Sequence, residues 1–288
     1  MLSSPAQQVN QLDSFFGQIV QDTALYPGSP SMDRAVADHI FIEDGTKERM
    51  AGSFLYPVDR FREMQNQFPL AGGCDTALLG SDPARLDKTR LTAVEDERLR
   101  ATHIELVLQD EDSDDFGVIS YKSRHFPCSA VFVEVPRRVD LGLIFGQFAF
   151  KGYGAKMCTG GLSAETFPSE EAAATLVVES SKRSLPIKFN ARLHRAVRHR
   201  DHVTGFEHRG FLNIAVAVCQ IVSGEKLSQC IETLGPRKSC NLVETLRELA
   251  PKAQAVVRAL FVGFGSCGIN QPYQESLKLV LLEEVNGK

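Results

Sequence analysis

Residues 153–194 decide the fold: YGAKMCTGGL (153–162), PSEEAAATLVVESSKR (168–183) and PIKFNARLH (186–194). The first and last are short runs of strand-forming residues, and the middle one has the length and composition of a helix. Pro168 suits a first helical turn, and Glu170 and Glu171 favour the positive end of the helix dipole. Strand, helix, strand in that order implies a parallel pair joined by a crossover. Lys156 lies inside the first strand and Lys188 inside the second, although lysine is a poor strand residue and an expensive one to bury.

The same alternation extends in both directions. Further strands are expected at GSFLYP (52–57), DTALLG (75–80), HIELVLQ (103–109), AVFVEVP (130–136) and ALFVGFGSCG (259–268), giving seven with AKMCTGG (155–161) and 186–194. In one domain of this size the simplest closed arrangement is a (β/α)8 TIM-type barrel, with a doubly wound α/β sheet as the alternative. Seven strands are one short. The eighth is expected between 195 and 258, where FLNIAVAVCQIV, KLSQCIETL and LVETLRELA nevertheless read as helices, or else the barrel is irregular or incomplete. Residues 8–21 and 31–38 read as helices around the loop DTALYPGSP, so residues 1–40 form an N-terminal helical extension of a single domain, 1–288. QDEDSDDFGVISYKSRHF (109–126) reads as a solvated acidic loop.

Side chains alternate between the two faces of a strand, so each strand divides into two rows. In IKFNARLH, Ile187, Phe189, Ala191 and Leu193 form an apolar row; Lys188, Asn190, Arg192 and His194 form a polar one. In a barrel the apolar row packs on the outer helices and the polar row faces the lumen, whose C-terminal mouth holds the site in such folds. The same sorting points Lys156 and Cys158 inward, places His103 and Glu105 in one row, and leaves Glu134 as the polar residue near the end of its strand. Two lysines, two carboxylates, an asparagine and an arginine are therefore expected in one interior. A solvent-facing edge would produce the same rows in any single strand, but four strands carry them.

Two close lysines suggest amine chemistry. Desolvation or a neighbouring cation favours the neutral amine, which can attack a ketone or aldehyde and form a Schiff base, an electron sink for carbon–carbon cleavage or proton abstraction. Glu105 or Glu134 would shuttle the proton. The run KMCTGG, followed after a helix by IKFNAR, resembles the class I deoxyribose-phosphate aldolase pattern, in which a Lys-x-x-Thr-Gly strand supplies the Schiff-base lysine and the next strand a second lysine. That resemblance implies Lys156 as nucleophile and Lys188 as the partner that lowers its pKa. It departs from the pattern where Asn190, Ala191 and Arg192 replace small residues. DTALYPG, GSFLYP, FVEVP, KMCTGG, FPSEE, KFNARLH, GFEHRGFLN and FGSCG together resemble an uncharacterised bacterial protein family with Lys-x-Arg-Thr-Gly-Gly and Gly-Leu-His-His blocks. That family implies no activity, and here Cys158 and Arg-Leu-His-Arg stand in those two blocks.

His194, His199, His202 and His208 fall in HRAVRHRDHVTGFEH, but their spacing matches no recognised zinc pattern, and six arginines between 183 and 209 disfavour a cation. No metal and no cofactor are assigned. An anion fits better: Arg192, His194, Arg195 and Arg198, leaving the C-terminal end of a barrel strand, are candidates for phosphate or carboxylate binding, with a solvated basic loop as the plain alternative. Gly263, Gly265 and Ser266 of FVGFGSCG could bring backbone amides to an oxyanion before the next helix, though glycines also serve tight turns. Cys267 has no base beside it in sequence and reads as an inert thiol.

The composition, 43% hydrophobic and 24% charged with a net charge of −4, is that of an ordinary globular chain without general attraction to nucleic acid or anionic membrane. Only Phe206 and Phe211 lie near the basic segment, too few aromatics for base stacking. No apolar run approaches the roughly 20 residues of a bilayer span, and MLSSPAQQVNQLDSFF lacks a basic region before an apolar core, so the chain reads as unprocessed and cytoplasmic. Seven scattered cysteines without a CxxC pair argue against a disulfide framework or zinc ribbon. The leading expectation is an aldolase-type lyase or isomerase acting on a small anionic carbonyl compound. The alternatives are a non-catalytic barrel binding an anionic metabolite and a metal-dependent hydrolase using the segment from His194 to His208.

Overall fold

The deciding segment folds as a parallel βαβ unit. The computed structural model describes residues 12, 14–25, 30–43, 49–67, 74–96, 98–107, 130–136, 140–161, 163–202, 204–235, 240–279 and 281. The seven expected strands are all present, and with an eighth they close a parallel barrel, which rules out the open doubly wound sheet. In chain order the barrel strands are β1 (Val20–Asp22), β2 (Ala51–Pro57), β3 (Cys74–Gly80), β4 (Leu99–Val107), β5 (Ala130–Glu134), β6 (Gly154–Cys158), β7 (Ile187–Asn190) and, after a small antiparallel pair β8 (His199–Arg200) and β9 (Glu207–His208), β10 (Phe261–Ser266). β1 closes the ring by pairing with both β2 and β10.

Two expectations are corrected. The eighth strand is β1, formed by the last two residues of the stretch read as helix 8–21 and the first of the loop after it, and not in the interval 195–258. Leu12 and Ser14–Phe16 are helical, and the chain then passes through Gln18, at φ 51°, into three buried strand residues. Three residues are too few to show alternation, so the run looked helical throughout. The N-terminal segment is therefore part of the barrel wall and not a purely helical extension. The second correction concerns β7, which stops at Asn190 and not at 194, because Ala191 and Arg192 both adopt left-handed backbone, at φ 72° and 61°. The acidic stretch 109–126 lies outside the described residues.

The helices are α1 (Met32–Glu43), α2 (Phe61–Gln67), α3 (Pro83–Val94), α4 (Leu141–Lys151), α5 (Glu170–Ser181), α6 (Phe211–Val222), α7 (Leu227–Leu234), α8 (Cys240–Arg247), α9 (Pro251–Leu260) and α10 (Asn270–Lys278). Capping sets several starts: Asp82, Asp140 and Ser169 each accept backbone N–H groups from the first turn of α3, α4 and α5. Ser169, one residue after Pro168, is thus the cap of the helix that carries Glu170 and Glu171. α6 is buried almost all round, between the barrel and α5, α7, α8 and α9, which explains its nearly continuous apolar sequence. Its Phe211 stacks on Phe264 of β10, with centroids 4.8 Å apart. Ile187 and Phe189 of β7 are fully buried in the outer apolar layer, as the row assignment requires. Among the described residues, Cys74, Cys158, Cys219, Cys230 and Cys267 carry free thiols, and no helix is long and apolar enough to cross a membrane.

Candidate active site

The inward rows of β4 to β7 meet in one ionic cluster. Register places Lys156 level with both Glu134 and Lys188 on the flanking strands. Glu105 on β4 is fully buried and sits at the centre. Its Oε1 accepts from Lys188 Nζ at 2.6 Å, and its Oε2 accepts from Lys156 Nζ at 3.1 Å and from Asn190 Nδ2 at 2.8 Å. Lys156 Nζ also lies 2.9 Å from Glu134 Oε2. Four strands thus each contribute part of one network, and four of its members, Glu105, Lys156, Lys188 and Asn190, are at most 3% exposed.

The two lysines stand level in register but reach different neighbours. Lys188 turns away from the mouth: its Nζ lies 2.7 Å from Nε2 of His103, one inward position below Glu105 on β4, and 5.1 Å from the centre of the Phe132 ring. Lys156 pairs instead with Glu134, the last residue of β5, whose side chain is 25% exposed. Lys156 is therefore the amine beside a partly exposed carboxylate, and its own side chain is fully buried.

Charge states follow from these contacts. Burial alone would raise Glu105, but the Lys188 and Lys156 charges more than reverse this and hold its carboxyl well below the usual range. Burial draws the Lys188 ammonium down against the pull of Glu105, and Lys156 adds to the fall. His103 is lowered to about 4 by burial and then by the Lys188 charge. Geometry agrees that this ring is neutral. Its Nε2 receives the Lys188 ammonium, and its Nδ1 faces Thr102 Oγ1 at 3.0 Å, a hydroxyl whose own hydrogen goes to the Thr76 carbonyl. The ring proton therefore sits on Nδ1.

The T-G-G of KMCTGG is structural support for this cluster. Thr159 Oγ1 donates toward the carbonyls of Asn190 and Ala191, at 2.9 and 2.7 Å, and its N–H also meets Asn190 O, so it clamps the left-handed turn that ends β7. A Cβ on Gly160 would come within 2.9 Å of Arg192 Cγ, so glycine there seats the arginine stem. Cys158, placed in the inward row with Lys156, is half-buried and its thiol donates to the Gly160 carbonyl at 3.0 Å.

The expected anion-binding residues separate. Arg192 and His194 leave the lumen row because β7 ends before them. Arg192 and Arg195 are half-buried and have no ion-pair partner among the described residues. Arg198 is committed elsewhere, to Glu170 at 2.6 Å, Glu207 at 3.2 Å and the Gly235 carbonyl. Gly263 and Gly265 lie within β10 and not in a strand-to-helix turn. A Cβ at Gly263 would stand 2.8 Å from the Ile19 carbonyl, and one at Gly265 would stand 2.9 Å from both Asn190 Oδ1 and Thr23 Cγ2. They therefore allow close packing of the neighbouring strands and of the Asn190 and Thr23 side chains. Ser266 bonds to His194.

Two contributors, His103 and Gln21, were not singled out in sequence, nor was the pairing of His194 with Cys267. His103 was already in the Glu105 row, which was signal enough. Gln21, which lies 2.9 Å from His103 Nε2 and 3.4 Å from Ser53 Oγ, belongs to the three-residue strand that had no visible period. His194 and Cys267 approach each other across 73 residues, a distance no local pattern reports. Among the described residues, no group of three or more His, Cys, Asp or Glu side chains is placed to hold a metal ion. Neither a protein-family model nor a curated protein matches this chain.

Proposed function

We propose that the protein is a Schiff-base-forming lyase or isomerase of aldolase type, acting on a small anionic hydroxycarbonyl compound through Lys156. The observation that carries this reading is a pair of buried lysines on adjacent strands, bridged by one buried carboxylate, with one amine also paired to the partly exposed Glu134. Lys156 gives a proton to Glu134, the partly exposed carboxylate beside it, and attacks the substrate carbonyl. Loss of water then gives an iminium that accepts the electron pair of the bond being broken. The Lys188–Glu105 pair keeps a fixed positive and a fixed negative charge against the reacting nitrogen. The resemblance of KMCTGG and IKFNAR to the aldolase pattern supports the same assignment of the two lysines.

Asn190 refines the substrate class. Its Nδ2 is committed to Glu105, which fixes the amide orientation and sets Oδ1 against Gly265, where even a Cβ would stand 2.9 Å from it. That oxygen is buried and has no hydrogen-bond partner among the described residues, so a substrate hydroxyl would satisfy it. Arg192, with its stem seated over Gly160, is the residue for a phosphate or carboxylate. A non-catalytic anion-binding barrel draws on the same unpaired arginines but leaves the lysine pair without a task. The metal-dependent hydrolase draws no support from the arrangement of the histidines.

Borohydride reduction in the presence of small aldehydes, oxo acids and sugar phosphates, followed by peptide mapping, tests the proposal. The expected result is one adduct on Lys156, lost in Lys156→Arg, which keeps the charge but forms no imine. Adducts spread over surface lysines, or none with any compound, would overturn it.

A further inference from the structure

Lys188 is held from three sides, and the number of its hydrogens fixes its charge state. Its Nζ donates to Glu105 Oε1 at 2.6 Å and to His103 Nε2 at 2.7 Å, and it stands over the ring of Phe132, 5.1 Å from the centre. An ammonium has three hydrogens for these three places, the last against the negative face of the ring. A neutral amine has only two, and would turn its lone pair onto that face. The acceptor at His103 exists because of how the imidazole is set. Thr102 Oγ1 gives its own hydrogen to the Thr76 carbonyl and so receives the Nδ1 proton at 3.0 Å, which leaves Nε2 a bare lone pair. Gln21 Nε2, a second donor 2.9 Å away on β1, requires the same tautomer. The ring also packs edge to face with Phe132, centroids 5.6 Å apart at 83°. Imidazole is a weaker base than a lysine amine by about four pKa units, so Nε2 takes the hydrogen bond without taking the proton.

We propose that His103 is a positioning residue that fixes the division of charge between the two lysines: by accepting from Lys188 it keeps that lysine an ammonium, and so leaves Lys156 as the amine that gives up its proton. Burial favours the neutral form of Lys188, Glu105 opposes it and the Lys156 charge adds to it, so the further acceptor at 2.7 Å tips the balance. Lys156 differs in where its proton can go. It lies 2.9 Å from Glu134, whose side chain is 25% exposed and can pass a proton to water. Glu105, the carboxylate beside Lys188, is fully buried and already accepts from Lys156, Lys188 and Asn190. Among the described residues, the charged groups facing the Lys188–His103 contact are Glu105 on the same strand as His103 and Lys156 on β6, with Glu134 of β5 behind Lys156. The other strands bring uncharged residues: Gln21 from β1, Ser53 from β2, Ala77 level with His103 on β3 and Gly263 level with Lys188 on β10. Only the use made of a neutral Lys156 rests on the Schiff-base reading.

An NMR titration of the full chain, isotope-labelled at lysine Cε and at the histidine ring nitrogens, tests this with no carbonyl compound present. Lys156→Arg and Lys188→Arg assign the two lysine signals. In the wild type Lys156 should lose its proton at lower pH than Lys188, and at neutral pH the His103 ring should show a proton on Nδ1 and none on Nε2. His103→Leu keeps bulk but offers no acceptor; it should lower the Lys188 midpoint by about one pH unit or more and raise that of Lys156, whose neighbouring cation is then lost. His103→Gln, which offers a carbonyl oxygen, should restore the wild-type order. Lys188 deprotonating first in the wild type, or a proton on Nε2, would overturn the assignment, and neither result depends on a variant that folds. Midpoints unmoved in folded His103→Leu would overturn it as well. Borohydride trapping that fails while the titrations behave as expected would sink the Schiff-base reading and leave the role of His103 standing.

Discussion

Two regions of the molecule gather charged residues and use them in opposite ways. In the lumen, Glu105, Glu134, Lys156 and Lys188 come from separate strands and neutralise one another in the interior. In the segment from Arg192 to Arg209 the charges are contiguous in sequence and scatter in space. Arg198 and Arg209 both reach back to Glu170 at the start of α5, at 2.6 and 3.4 Å, and Arg209 also bonds to the Pro168 carbonyl. His199 and His208 pair across the β8–β9 hairpin, and His208 stacks on Phe167. A strand's period of two sends alternate residues to one axis, where strands from the whole ring converge. A loop has no such axis, so its charges find whatever helix end or carbonyl lies nearest.

Removing the centre of the converged region should be the most damaging change. Glu105→Gln keeps shape and leaves two buried ammonium groups facing a neutral amide, and losing one partner of a buried ionic network costs about 3–5 kcal/mol. Urea denaturation of the variant should show a loss of that size, and the double variant Glu105→Gln with Lys188→Met should recover part of it, since one stranded cation is gone. A loss below about 1 kcal/mol would mean that the lumen is no more tightly coupled than the surface segment. It would also mean that the buried lysines are already neutral.

The pH response separates the regions next. His103 is held at about 4 in the folded barrel against an ordinary 6.5, so its folded pKa is depressed. Its contribution is complete above pH 6.5 and fades as pH falls toward 4, because the unfolded chain takes up the proton first. By that linkage the loss reaches about 2 kcal/mol at pH 5. The gap in unfolding free energy between wild type and His103→Asn should therefore narrow by about that amount between pH 7 and pH 5. Glu105, also depressed, acts in a lower window, with its contribution present above about 4.5 and lost below it. Parallel curves for the two proteins would show that His103 takes up protons as readily folded as unfolded, and the lumen would lose its distinction.

The contrast also explains what was legible. Seven barrel strands were readable because each carries several alternating residues, and Lys156, Lys188, Glu105, Glu134 and Asn190 were placed together by that alternation alone. β1 was not readable, since Val20–Asp22 offers three residues and no period. Nor was the end of β7, where the polar row of IKFNARLH continues past the point at which the backbone has already turned. Left-handed conformation at Ala191 and Arg192 is held from outside, by Thr159 binding the Asn190 and Ala191 carbonyls, and nothing in the two residues themselves announces it. Pair chemistry was least readable of all. That Lys188 turns to His103, or that Ser266 meets His194, depends on side-chain directions that appear only once the ring has closed.

The smallest effect should come from the scattered region. Arg198→Gln removes ion pairs to Glu170 and Glu207 and a bond to the Gly235 carbonyl, yet all three charged side chains are 21–32% exposed, so water replaces much of what is lost. Glu170 keeps Arg209 as a partner, which leaves no stranded buried charge. Pairs of this exposure are worth about 1 kcal/mol or less, and urea denaturation of Arg198→Gln should show no more than that. Lys156 trapping should not change, because Arg198 faces the start of α5 and not the lysine cluster. A loss above about 3 kcal/mol would place the segment in the same class as the lumen, as a second rigid ionic core, and its unpaired neighbours Arg192 and Arg195 would then be held for a ligand by the same rigidity.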